Sequence, residues 1–180
     1  MRLSKPRVEP LTDEAMAPEI RETFRERPLN IFRTLANHPK LLKRWLVFGN
    51  HVLAKSTVAP RERELVILRV GFLCRAGYEW GQHVPIGKQS GLSDEEIDRI
   101  VKGPDAEGWR EIDRALLRAT DELHHDQFVS DATYAELSAH YGTQQLMDLV
   151  FAIGQYHLVS MALNTFGVQL EPGAPELPEA

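Results

Sequence analysis

The chain has 180 residues, 43% of them hydrophobic, and a formal net charge of -5 at pH 7. This length and composition predict one domain with a substantial apolar core. The negative charge argues against nucleic acid as a partner, because binding to phosphates needs a basic surface. The sequence shows no apolar run of membrane-spanning length, no signal-peptide core and one cysteine, so we expect a cytoplasmic protein that binds no membrane.

The sequence predicts an all-α fold, since no stretch of useful length alternates apolar and polar residues with the period of a strand. In chain order, helices are predicted over residues 18–27, 30–36, 39–53, 60–89, 94–102, 111–125, 131–141 and 144–164. Gly77 either interrupts the long fourth helix or joins two separate ones. The helices define a domain at residues 29–170, preceded by an arm at 1–28 and followed by a tail at 171–180, which carries three of the eleven prolines.

Several helix starts have a recognisable local signal. Asn30 is predicted to cap the second helix, and Pro39 and Pro60 are predicted to open the third and fourth. Ser93 and Glu96 have the spacing of a capping box, in which each side chain accepts a hydrogen bond from the other residue's amide.

The stretch from Glu64 to His83 places two carboxylates and an imidazole in an apolar helical segment. Glu79 and His83 are four residues apart, so on a helix they share one face. A buried carboxylate or imidazole is costly unless it is paired, which favours an internal Glu/His site. The alternative is a surface helix in which Glu79 pairs with His83 and Glu64 pairs with Arg61 or Arg69.

The sequence resembles the carboxymuconolactone decarboxylase family, whose fold is shared with the alkylhydroperoxidase D-like proteins. The resemblance is carried by RERELVILRV, YEWGQH, GLSDEEI and GQYHLVSMALNTFGV, and it covers most of residues 30–170. It implies that residues 29–170 form an alkylhydroperoxidase D-like helical bundle. It also implies a homo-oligomer, either a trimer or a hexamer.

The peroxidase branch of this superfamily carries a Glu, then a Cys-x-x-Cys pair, then a His. Counted from Glu64, the two cysteines would fall on Ala76 and Glu79 and the histidine on His83, so both thiols are absent. The single cysteine, Cys74, cannot close an internal disulfide, which excludes dithiol peroxidase turnover within one chain. A one-cysteine peroxidase stays open, although a small core residue is the favoured interpretation of Cys74.

The resemblance implies a cofactor-independent carbon–carbon lyase that decarboxylates a carboxylated muconolactone or a similar lactone acid in aromatic-compound catabolism. Such a reaction needs an apolar site, a charge that stabilises the developing enolate and a proton donor. By its match to the family's histidine position, His83 is implied to be the proton donor. Its ordinary pKa near 6.5 suits both the donation and the acceptance of a proton. Glu64 would fix its tautomer, and Glu79 would orient the substrate or assist the proton transfer.

The implied substrate is a small anionic lactone or carbonyl acid. Its negative charge needs a cationic side chain in the site, and its ring suits an aromatic wall. Arg69 is the candidate cation, and Tyr78 and Trp80, which flank Glu79, are the candidate aromatic wall. For each of the three, an ordinary role in packing or in an ion pair is the simpler interpretation.

Other functions stay open: an alkylhydroperoxidase or peroxiredoxin-like protein, and a ligand-binding protein without catalysis. No cofactor and no metal is predicted, although His124, His125 and His157 are candidate metal ligands. Adjacent histidines on a helix point about 100° apart, so His124 and His125 do not suit one metal site. We expect the histidines at a surface or an interface. The polar residues Gln155, Tyr156 and His157 interrupt the last, apolar helix. They are predicted to line a cavity, to cap one or to meet a second subunit.

Overall fold

The computed structural model describes residues 1–24 and 28–179. Within these residues the chain forms nine helices and no strand, which confirms the all-α prediction. The helices are α1 (Pro18–Arg21), α2 (Asn30–Leu35), α3 (Pro39–Ala54), α4 (Pro60–Leu73), α5 (Gly77–Gln89), α6 (Asp94–Lys102), α7 (Glu111–His125), α8 (Asp131–Ser138) and α9 (Thr143–Phe166).

Most helix boundaries follow from local signals in the sequence. The helix α7 begins and ends at the predicted residues, and α6 follows the predicted capping box. In that box Ser93 Oγ accepts from the Glu96 amide at 3.2 Å, and Glu96 Oε2 accepts from the Ser93 amide at 2.9 Å. The departures elsewhere are small: α8 ends at Ser138, before the predicted residue 141, and α9 runs two residues further than predicted.

Two local predictions are wrong in detail. Asn30 does not cap α2, because Leu29 occupies the N-cap position and the Asn30 side chain instead donates to the Gln169 carbonyl at 3.0 Å. The Asn30 side chain therefore links the start of α2 to the chain that follows α9. The helix predicted over 18–27 ends at Arg21, and residues 25–27 of that prediction lie outside the described residues.

The helices α4 and α5 are separate, which decides between the two predictions made for Gly77. After α4 ends, Arg75 adopts a left-handed φ of 49°, and α5 begins at Gly77. A non-glycine residue in this conformation costs roughly 1 to 3 kcal/mol and needs support from its surroundings. The adjacent Cys74 carbonyl supplies an anchor by accepting from Asn164 Nδ2 at 2.9 Å.

The helix α4 lies at the centre of the fold. Its residues 63–71 are all buried, and it packs against α5, α6, α7 and α9. A helix that is covered on every side must be apolar nearly all round, which explains the run LVIL and the residues after it. The charged side chains that α4 buries, Arg63, Glu64 and Arg69, therefore each need an internal partner.

By length and composition alone, α9 is the one helix of the described chain that could cross a membrane. It has 24 residues, so the expectation that no apolar segment reaches spanning length was wrong for α9. Half of its most apolar stretch is buried inside the fold. That burial is typical of the core helix of a globular domain and is compatible with a soluble protein.

A buried carboxylate ties α7 to the start of α4. Asp113 has no exposed surface, and its two oxygens accept from Arg61 at 2.8 and 3.1 Å and from Arg110 at 2.8 and 2.7 Å. Arg61 also pairs with Glu96 of α6. Burial raises the pKa of Asp113, but the two guanidinium groups outweigh it and lower the pKa below its ordinary value.

Replacing Asp113 with Ala should reduce the free energy of unfolding by about 3 kcal/mol, because it leaves two guanidinium groups without their shared partner in a partly buried site. Urea unfolding followed by circular dichroism measures the change. Asp105→Ala, at an exposed position, is the matched control. Equal losses in the two variants would show that the Asp113 cluster does not hold α7 against α4.

Candidate active site

Glu64, Glu79 and His83 come together between α4 and α5. The Nδ1 atom of His83 is hydrogen-bonded to Glu64 Oε2 at 2.6 Å, and its Nε2 atom lies 2.9 Å from Glu79 Oε1. All three side chains are buried. The i, i+4 spacing on α5 brings Glu79 to one ring nitrogen, and the packing of α4 against α5 brings Glu64 to the other.

The second oxygen of Glu64 is also occupied. Its Oε1 atom accepts from Arg63 Nε and Nη2, both at 3.2 Å. Glu64 has no exposed surface, so these contacts and the His83 hydrogen bond replace the water that its charge would otherwise require. The predicted pairing of Glu64 with Arg61 or Arg69 on an exposed face is therefore wrong: its arginine partner is Arg63, inside the protein.

The imidazole of His83 carries a proton at neutral pH. Burial acts most strongly on the ring and would lower its pKa. The charge of Glu79 and the hydrogen bonds to Glu64 and Glu79 together outweigh burial and raise the pKa of His83 from 6.5 to about 9. His83 is thus a protonated imidazole held between two carboxylates. Its raised pKa does not favour proton donation and proton acceptance equally, as its ordinary pKa suggested.

A pocket of about 150 Å³ opens onto Glu79 and His83. It lies between α2, α3, α5 and α9, and most of its wall is apolar or aromatic, including Phe32, Trp45, Leu46, Tyr78 and Tyr156. The ring of Tyr156 meets that of His83 edge to face, with 4.9 Å between the centroids. A cavity of this lining can accommodate a small ring-shaped ligand beside an imidazole and a carboxylate.

Residues 39–122, which include both glutamates and His83, match the sequence profile of CMD, the Carboxymuconolactone decarboxylase family. The chain is similar to this family over just under half of its length. No curated protein matches it in a sequence comparison. The matched segment spans α3 to α6 and most of α7, so the family relationship covers the Glu/His group and part of the pocket wall.

Solved structures share the fold of nearly the whole chain. The alkylhydroperoxidase AhpD core of a peroxidase-related protein from Ralstonia eutropha JMP134 is 18% identical, with a TM-score of 0.82 over 93% of each chain. The debrominase Bmp8, as a cysteine-to-alanine variant in complex with 2,3,4-tribromopyrrole, is 14% identical, with a TM-score of 0.77 over 94% of each chain.

A third solved structure, a putative antioxidant defence protein AhpD from Agrobacterium tumefaciens, is 21% identical. Its TM-score is 0.70, over 76% of this chain and 94% of the other. At such identities the likeness shows a shared fold, and it confirms the alkylhydroperoxidase D-like bundle. It carries no activity from one protein to another.

Of the three substrate-binding residues predicted from the sequence, one lines the pocket. Tyr78 does so, with its hydroxyl donating to Glu171 at 2.9 Å. Trp80 is buried and packs against Phe72, with 6.3 Å between the ring centroids, and it is not among the pocket residues.

Arg69 also lies outside the pocket, where its charge is already paired. Its guanidinium donates to both oxygens of Asp121 at 2.7 Å and to the carbonyls of Ile100 and Val101. Among the described residues that line the pocket, His83 is the only one that supplies a positive charge. Arg69, the cation predicted from the sequence, is therefore paired with Asp121 and is not among the pocket residues.

The sequence did not single out Trp45 as a functional residue. Trp45 lies on α3 and lines the pocket, and its Nε1 atom is buried without a hydrogen-bond partner in the described chain. An indole nitrogen in this state is available to an acceptor on a ligand. Its sequence signal was weak, because an aromatic residue in an amphipathic helix is usually part of the core. Gln155 and Tyr156 do line this pocket, one of the three predicted outcomes for them.

The two positions that carry thiols in the peroxidase branch are Ala76, which is fully buried, and Glu79. Cys74 lies elsewhere, at the C-terminal end of α4, with its Sγ atom 4.0 Å from His124 Nδ1. Burial raises the pKa of the Cys74 thiol above its ordinary value. The pocket of this protein therefore offers acid–base groups and no thiol among its described residues.

The ion pairs of His83 should make stability depend on pH in a defined direction. The folded pKa of about 9 exceeds the unfolded value of 6.5, so the stabilisation is complete below pH 6.5 and is lost as pH rises through 9. The difference in unfolding free energy between wild type and His83→Gln should shrink by roughly 3 kcal/mol across that range. The exposed His140, replaced by Gln, is the control; a difference that grows with pH would contradict the ion-pair assignment.

Proposed function

We propose that the protein is a cofactor-independent decarboxylase, a carbon–carbon lyase that removes carbon dioxide from a carboxylated muconolactone or a similar small lactone acid in aromatic-compound catabolism. The observation that carries this proposal is the imidazolium of His83, held by Glu64 and Glu79 at an apolar, aromatic-walled pocket. The similarity of residues 39–122 to the carboxymuconolactone decarboxylase family supports the substrate class.

The chemistry needs one proton and an electron sink that the substrate itself provides. Loss of carbon dioxide breaks the bond between the carboxylate carbon and the ring, and the electron pair passes into the conjugated carbonyl as an enolate. His83 then gives its proton to the ring carbon and regains one from solvent. In the overall reaction, the substrate carboxylate and one proton give the lactone and carbon dioxide. A general acid with a raised pKa suits this step, because it is charged before the carbanion forms.

Glu79 supports the reaction through its charge. It lines the pocket while Glu64 lies behind His83 and is neutralised in part by Arg63. A substrate carboxylate in this pocket lies close to the carboxylate of Glu79, which raises the energy of the bound acid. That repulsion is relieved when the carboxylate leaves as neutral carbon dioxide.

We also propose that the protein is a homo-oligomer, a trimer or a hexamer as the family resemblance implies. One face of α9 exposes five large apolar side chains, Met147, Val150, Phe151, Leu158 and Met161. After Asp148, α9 carries no charged residue up to its end, so the exposed face is apolar without a charged border along the helix. A second copy of the chain would bury this face and bring further side chains near α9.

The first experiment is turnover of 4-carboxymuconolactone, followed by ultraviolet absorbance and carbon dioxide release. Wild type should turn over, and His83→Gln should lower kcat by roughly 10² to 10⁴-fold, the usual contribution of a positioned general acid. Activity should fall as pH rises through about 9, because His83 loses its proton there. His140→Gln should match wild type.

Each alternative has its own outcome in the same set of measurements. A folded wild type without turnover contradicts the decarboxylase. Tight uptake of the lactone without product, unchanged in His83→Gln, would indicate a ligand-binding protein. Consumption of organic hydroperoxide that is lost in Cys74→Ala would indicate a peroxidase that uses its single thiol.

Trp45 should contribute a hydrogen bond to the substrate through its buried Nε1 atom. Trp45→Phe keeps an aromatic wall and removes that donor, so kcat/KM should fall by about ten-fold or more, as expected for a hydrogen bond to a charged acceptor. Trp109→Phe, outside the pocket, is the matched control, because its Nε1 atom already donates to the Gly103 carbonyl. Equal effects of the two replacements would exclude Trp45 from substrate binding.

A further inference from the structure

A second cluster of reactive side chains lies outside the pocket, where α4, α7 and α9 meet. Cys74 ends α4, His124 lies in the last turn of α7, and His157 lies in the middle of α9. The Nδ1 atom of His124 is 2.9 Å from His157 Nε2 and 4.0 Å from Cys74 Sγ. The three donor atoms all lie within 4.8 Å of one another, and the side chains are partly buried.

We propose that Cys74, His124 and His157 bind a transition-metal ion of the zinc class, with the fourth coordination position open. One thiolate and two imidazoles are donors that suit Zn²⁺, and three protein ligands with one open position are typical of zinc sites that bind water or a substrate. Binding would displace the thiol proton of Cys74 to solvent and would link three helices through one ion.

The distances between the donor atoms suit this ion. With bonds of about 2.0 Å to nitrogen and about 2.3 Å to sulfur, the donors of a tetrahedral zinc site lie roughly 3.3 to 3.7 Å apart. His124 and His157 are already slightly closer than this, and Cys74 is slightly further away. Side-chain movements of about 1 Å would therefore complete the site.

The hydrogen bonds around the cluster arrange the donors for a ligand. The Nδ1 atom of His157 lies 2.8 Å from the Ile153 carbonyl, which can only accept, so Nδ1 carries a proton and the Nε2 lone pair points at His124. Donation of the other ring N–H to a backbone carbonyl is the usual outer-shell contact of a metal-bound histidine.

Hydrogen bonds also fix the backbone of Cys74. The backbone carbonyl of Cys74 accepts from Arg2 at 3.1 Å and from Asn164 at 2.9 Å, which fixes the end of α4. Ser160, one turn from the centre of α9, is fully buried, and its Oγ atom has no hydrogen-bond partner in the described chain. This unpartnered hydroxyl lies beside Cys74 and is available to the sulfur as a hydrogen-bond donor.

His125 provides an internal control for this site. It follows His124 on the same helix, but its Nδ1 atom lies 2.8 Å from the Asp121 carbonyl and it does not belong to the cluster. The geometry therefore agrees with the expectation that His124 and His125 do not bind at the same site. The third ligand of the proposed site is Cys74, which was predicted from the sequence to be a small core residue. The proposal is independent of the reaction at His83.

The test is titration of the reduced, full-length protein with Co²⁺, followed by zinc competition. Wild type should bind one Co²⁺ per chain with a thiolate-to-metal charge-transfer band in the near ultraviolet, and Zn²⁺ should displace it. Cys74→Ser should lose the band, and His124→Ala and His157→Ala should each weaken binding by at least about ten-fold. His125→Ala should bind as wild type does.

Two further measurements keep the test decisive if a variant folds poorly. In wild type, Zn²⁺ should slow the reaction of Cys74 with a thiol reagent, a chelator should restore the rate, and Zn²⁺ should raise the melting temperature. Absence of the charge-transfer band in folded wild type, or Co²⁺ binding that survives in Cys74→Ser, would overturn the proposal. A thiol that reacts equally fast with and without Zn²⁺ would overturn it too.

Discussion

The pairing of Glu64 is the constraint on which the site depends. Its side chain has no exposed surface, so its charge must be balanced by groups inside the protein. Arg63 takes one oxygen and His83 the other, and this second contact fixes where α5 lies against α4. Once His83 is held there, the i, i+4 spacing places Glu79 at its other nitrogen. The raised pKa of His83 and the carboxylate in the pocket both follow from this arrangement.

The helix α9 separates two sites of different chemistry. Tyr156 meets the ring of His83 in the pocket, and the next residue, His157, meets His124 in the thiol–imidazole cluster. Consecutive residues on a helix point about 100° apart, so one helix can serve both sites without mixing them. The only cysteine of the chain, Cys74, lies in the cluster with His124 and is not among the pocket residues.

The charges of the pocket limit the kinds of substrate that it can accept. The pocket is mostly apolar, and its ionisable residues are Tyr78, Glu79, His83 and Tyr156. A substrate with one carboxylate can be attracted by the imidazolium and then destabilised by Glu79. The arginine that the sequence suggested as an anchor, Arg69, is already paired with Asp121. Among the described residues, the lining of the pocket supplies no further cation for an anion.

Local sequence signals specify the all-helical class, most helix boundaries and the Glu/His pair of α5, because caps, prolines and i, i+4 spacing act within a few residues of one another. The partners of the buried charged groups depend on how the helices pack. The contact of Glu64 with His83, the pairing of Arg69 with Asp121 and the place of Trp45 in the pocket wall depend on packing between helices. The same holds for Cys74 and its two histidines, which are far apart in sequence and meet only because α4, α7 and α9 share one core.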